Sequence, residues 1–167
     1  MKTLCRATMV VVLLLLCIHI TQAQTPKVKI DQVEFMQNFI GYWKAEAGID
    51  TVMIFNVIPF GKGSEREFTM SVKGIVISSA KMLFGYDQER DKIIEAIIYE
   101  SSPELMINVW WATSLTTSEG VQLKDISDPE NAAFKMTGVL KSPDSFILTH
   151  ILNNKVVGEW TFVRQVK

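Results

Sequence analysis

Apolar and polar residues alternate along most of the chain with a period of two. Near the end, Val156, Gly158, Trp160, Phe162 and Arg164 share one side of an extended chain, and Val157, Glu159, Thr161, Val163 and Gln165 share the other. Phe134, Met136, Gly138 and Leu140 alternate with Ala133, Lys135, Thr137 and Val139. Phe146, Leu148, His150 and Leu152 alternate in the same way with Ser145, Ile147, Thr149 and Ile151. This period marks half-buried strands. In each strand one face collects the bulky aromatic and sulfur side chains, as the inside of a closed barrel requires.

The same rhythm predicts strands over 42–48, 51–60, 67–77, 79–86, 92–100, 105–113, 121–126 (the weakest), 132–141, 145–152 and 155–165. Short turns separate them, among them Gly61-Lys62-Gly63-Ser64, Ser142-Pro143-Asp144 and Asn153-Asn154. One segment, 31–40, follows a helical period instead. Val33, Met36 and Ile40 share a helical face, Asp31 is a suitable N-cap, and Gly41 ends the helix. The expected fold is all-β: a single antiparallel up-and-down β-barrel of about 8–10 strands with a short N-terminal helix, spanning 31–167. Strands 51–58 and 105–111 are apolar on both faces. Either the helix or a longer loop covers their outer side, or that side is a subunit interface that makes the protein a homo-oligomer.

The first residues have a different pattern. Lys2 and Arg6 precede an apolar run from Met9 to Ile20, broken only by His19, and Thr21-Gln22-Ala23 follows. A core of ~12 apolar residues is short of the ~20 that a membrane span needs, so residues 1–23 read as a signal peptide. Residues 24–30, with Pro26, read as a flexible leader. Secreted or periplasmic placement follows, with no membrane span left after cleavage. A lipid anchor on Cys17 is disfavoured because Leu16 stands where such signals carry a small residue.

Cleavage alters the chemistry available. Both cysteines, Cys5 and Cys17, leave with the signal, so the mature chain is disulfide-free and has no thiol nucleophile or Cys-ligated metal site. His19 also leaves, which makes His150 the sole imidazole. Loss of Lys2 and Arg6 moves the formal net charge from −1 to −3. An acidic chain without a basic block does not suit nucleic acid. Without disulfides, the fold must be held by its apolar core.

The segment Phe39-Ile40-Gly41-Tyr42-Trp43-Lys44 runs a short helix into Gly-x-Trp on the first strand, and Arg164 stands on the last strand. This layout resembles the calycin superfamily, the lipocalins and fatty-acid-binding proteins. Phe84-Gly85-Tyr86-Asp87 followed by Lys92 is similar to a mid-barrel hairpin of secreted bacterial lipocalin-like proteins. The resemblance implies that Arg164 packs over Trp43 and, with Gly41, closes one end of the barrel. It also implies a small apolar molecule as ligand. The chain departs from the pattern in two places. It lacks the lipocalin disulfide, and Gly48-Ile49-Asp50 turns straight into the next strand where fatty-acid-binding proteins carry a two-helix lid.

Catalytic signals are sparse. There is no Gly-x-Ser-x-Gly elbow, one imidazole does not make a metallohydrolase, and the carboxylates considered (Asp87, Glu89, Asp91, Asp125, Asp128, Glu130) fall in turns with no EF-hand spacing. No catalytic or metal-ligating residue is assigned. The methionines and aromatics suit an adaptable apolar cavity. Its expected lining is Met70, Met82, Phe84, Tyr99, Asn108, Trp110, Phe134, Met136, His150 and Trp160, with Tyr99, Asn108 or His150 orienting a polar head. The function expected is extracytoplasmic binding of a small hydrophobic ligand, without a cofactor. Two alternatives stay open. One is a filled barrel that self-associates as an interaction module. The other is a barrel-interior enzyme or haem protein, with haem held by His150.

Overall fold

The computed structural model describes residues 29–166; the signal peptide, Cys5, Cys17 and the leader as far as residue 28 lie outside them. A helix α1 (Gln32–Gln37) precedes ten strands: β1 (Gly41–Gly48), β2 (Thr51–Phe60), β3 (Gly63–Val72), β4 (Ile75–Asp87), β5 (Lys92–Tyr99), β6 (Leu105–Ala112), β7 (Thr117–Gln122), β8 (Phe134–Ser142), β9 (Ser145–Leu152) and β10 (Lys155–Gln165). Each strand pairs antiparallel with its neighbours in sequence. β1 closes the ring on β10, with Trp43 opposite Arg164. The fold is the expected all-β, up-and-down closed barrel with a short N-terminal helix. The seam is paired at three positions, Tyr42 with Gln165, Trp43 with Arg164 and Lys44 with Val163.

The boundaries differ from expectation at three places. The predicted strand 67–77 contains the β3–β4 turn. Lys73 and Gly74 both adopt positive φ, +51° and +78°, as a two-residue hairpin turn requires. The lysine hides this turn, because Asn or Asp is the usual signal there. β3 also begins earlier, at Gly63, so Glu65 and Arg66 belong to a strand and not to the turn before it. The weak segment 121–126 is mostly not a strand. β7 lies upstream, and Leu123–Asp125 and Pro129–Asn131 form 3-10 turns. Their connection packs against β6, and the outward-facing Val109 and Val121 are fully buried. A loop therefore covers the doubly apolar face of β6.

α1 is shorter than the predicted 31–40. Asp31 caps it by accepting from the N–H groups of Val33 and Glu34, both at 2.9 Å. Phe35 and Met36 point into the barrel end. Gln32 clasps the end of β6, accepting from the Ala112 N–H at 2.8 Å and donating to its carbonyl. Below the helix runs a column of rings. Phe39 meets Phe146 edge-on at 5.3 Å, Phe146 stacks on Phe162 at 4.8 Å, and Phe162 meets Phe55 at 4.7 Å. The helix end of the barrel is thus largely filled.

The opposite end is different. In an up-and-down barrel the β1–β2, β3–β4, β5–β6, β7–β8 and β9–β10 turns share one end, here the mouth. The first two are joined by the Lys73 N–H donating to the Asp50 carbonyl at 2.8 Å. Ile75, Val76 and Ile77 on the β3–β4 turn are exposed, as are Val156 and Val157 on β10. Among the described residues no helix is long and apolar enough to cross a membrane.

Candidate functional site

The barrel interior holds a cavity of about 260 Å³. Seven of the residues expected inside line it: Met82, Tyr99, Asn108, Trp110, Phe134, Met136 and His150. The other three lie nearby. Phe84 lines a separate pocket of about 50 Å³ beneath α1. Met70 packs, half-buried, against the core. Trp160 meets the His150 ring edge-on at 5.0 Å.

Local sequence explains the shape. Trp110 turns inward opposite Gly120 on β7, where any Cβ would collide with the indole. The missing side chain gives the ring its room. His150 stands between two aromatic rings, Trp160 and Phe134, the latter at 5.2 Å. Burial lowers the His150 pKa below its ordinary value of 6.5, which favours the neutral imidazole. Tyr99 lies next to the β5–β6 turn at the mouth. Burial, and then the charge of Glu95, raise its pKa, so it presents a protonated hydroxyl.

The helix end is closed by the three residues assigned to that role. The Arg164 guanidinium lies 4.1 Å from the Trp43 ring centroid. It donates to the carbonyls of Ile40, Asn38 and Pro143, the last two at 3.1 and 2.9 Å, and its Nε is 3.2 Å from an Asp144 carboxylate oxygen. Trp43 is fully buried and donates its indole N–H to the Phe39 carbonyl at 2.8 Å. Gly41 has φ +139°, and a Cβ there would collide with the Arg164 guanidinium. The bonds to Asn38, Phe39 and Ile40 satisfy carbonyls left open where α1 ends, and those to Pro143 tie in the β8–β9 turn.

Comparison of the sequence with known protein families and with curated proteins gives no match.

Two charged interior residues escaped the sequence reading, along with the apolar wall residues Met53, Phe55, Phe68, Ile97, Met106 and Leu148. Glu95 is only 3% exposed, although the carboxylates considered from sequence were all in turns. One of its oxygens, Oε2, accepts from the Asn108 amide at 2.9 Å and from the Trp110 indole N–H at 2.7 Å. Arg66 sits between the faces of Phe55 and Phe84, its guanidinium carbon 4.8 and 4.4 Å from the ring centroids. Burial lowers its pKa and the charge of Glu95 raises it; an arginine stays charged regardless. The surface that Arg66 retains faces the two interior spaces, which it separates. The signal for both was alternation. Glu95 shares a face with Ile93 and Ile97, and Arg66 shares one with Phe68 and Met70. A strand begun at residue 67 excluded Arg66.

Among the described residues no group of three or more His, Cys, Asp or Glu side chains is placed to hold a metal ion.

Proposed function

We propose that this protein binds and carries a small hydrophobic ligand inside its barrel, outside the cytoplasm, as a member of the calycin superfamily. The cavity carries this reading. Its wall is mostly aromatic, aliphatic and thioether, including Met53, Phe68, Met82 and Met136, with a few polar groups converging on it. That composition is typical of pockets for apolar molecules. Burial of ligand surface there contributes roughly 25 cal/mol per Å². The Trp43–Arg164 stack at the helix end supports the calycin assignment.

Native mass spectrometry of detergent-free protein tests the reading. Extra mass that leaves on denaturation supports carriage and identifies the ligand class. An apo mass, together with no thermal shift on adding n-nonane or 1-octanol, overturns it.

A second reading, self-association, rests on the exposed apolar residues of the mouth, including Ile75 at 69% and Val157 at 58% exposure. Sedimentation equilibrium distinguishes it. A concentration-independent monomer removes this reading and leaves the carrier untouched.

A further inference from the structure

Two residues that line the cavity carry a buried polar atom with no hydrogen-bond partner among the described residues, the Nε of Arg66 and the Oδ1 of Asn108; both atoms lie beneath the cavity surface, and it is the rest of the Arg66 guanidinium that the cavity can reach. The Asn108 amide nitrogen donates to Glu95 Oε2, the same oxygen that accepts from the Trp110 indole N–H, and the carbonyl oxygen is left over. A buried group without a partner is costly, and such groups are normally satisfied by protein, water or ligand.

Charge restricts what the cavity can hold. Arg66 and Glu95 line the same cavity with opposite charges, yet no ion-pair contact joins them. Their formal charges cancel. An anion added beside Arg66 would also lie in the cavity that the Glu95 carboxylate lines, between protein walls that screen the repulsion less than bulk water does. A cation added beside Glu95 would face Arg66 in the same way. An uncharged polar group enters without disturbing the balance.

We infer that the cavity selects neutral amphiphiles, whose hydroxyl or primary amide carbonyl accepts from the Arg66 guanidinium, in preference to fatty-acid anions. This inference rests on the carrier reading above and names its ligand class. The rings of Phe55 and Phe84 hold the guanidinium in place, so the donor is positioned before the ligand arrives. The apolar tail then occupies the remaining volume, bounded by Met82, Met106 and Met136.

Calorimetric titration at pH 8 with 1-octanol, octanamide, octanoate, octylammonium and n-nonane tests it. The alcohol and the amide should bind at least tenfold more tightly than either ion. Glu95→Gln keeps an acceptor for Trp110 but removes the negative charge. In that variant octanoate should gain at least tenfold relative to 1-octanol, because Arg66 then lacks a counter-charge. Arg66→Met should weaken 1-octanol at least tenfold and leave n-nonane unchanged. Octanoate binding the unaltered protein as tightly as 1-octanol overturns the inference while the carrier reading stands, and this comparison needs no variant to fold. Failure of all five probes, n-nonane included, overturns the carrier reading itself.

Discussion

The two ends of the barrel are built from the same strands, yet one is packed with rings around a pocket of only about 50 Å³ and the other holds the larger cavity. At the helix end, Phe39, Phe146, Phe162 and Phe55 form a continuous run of ring contacts, and Trp43 and Phe162 are fully buried. Toward the mouth, methionines and wide-spaced aromatics surround about 260 Å³, and polar groups remain without partners. The difference teaches that burial alone does not mark the functional part of a barrel. Where every ring has a neighbour, side chains serve stability. Where charged and polar side chains line an interior space, they are placed to meet a ligand.

Truncation at the two ends should separate these roles most strongly. Phe162→Ala removes a ring in contact with Phe55 and Phe146, at a cost of roughly 3–5 kcal/mol. Its thermal midpoint should fall by about 10 °C or more, with 1-octanol affinity unchanged at a temperature where it remains folded. Met70→Ala, half-buried toward the mouth, should cost less than about 2 kcal/mol. Equal losses in chemical denaturation would erase the distinction between the ends.

Gly41→Ala is the next test. The variant must hold φ near +139° and displace the Arg164 guanidinium, so it should lose about 1–3 kcal/mol. A variant as stable as the parent would show that the Trp43–Arg164 closure contributes little.

The smallest effect belongs to the mouth side. His150 has a depressed pKa, so between that value and 6.5 the unfolded chain binds more protons than the folded one. Stability therefore falls as pH drops below 6.5, and levels off once the folded-state imidazole is charged. The effect is absent above 6.5. His150→Gln should flatten the thermal midpoint between pH 7 and pH 5, and an unchanged slope in that variant would assign the titration to other groups.

Much of this molecule was legible along the chain. Period-two alternation identified the inward faces of β8, β9 and β10, because strand geometry sends successive side chains to opposite sides. Asn153-Asn154 announced its turn, and both residues take positive φ, +49° and +62°. Lys73-Gly74 did not, since lysine rarely occupies that conformation, and the strand boundaries around it were misplaced accordingly. The interior site was legible in its apolar part. Its charged part was missed because Arg66 and Glu95 look like solvent-facing residues until the register shows which face they occupy.

Local chemistry by itself determined the class of structure: alternation, turn residues and one capped helix admit little besides an antiparallel meander, and its bulky inner faces favour closure. Tertiary structure alone decided the rest. Only ring closure brings Trp43 of β1 opposite Arg164 of β10, and only the barrel's curvature turns Arg66 and Glu95 toward one cavity. These are contacts between residues far apart in sequence. No local propensity encodes them; they exist because a closed sheet fixes every strand's register at once.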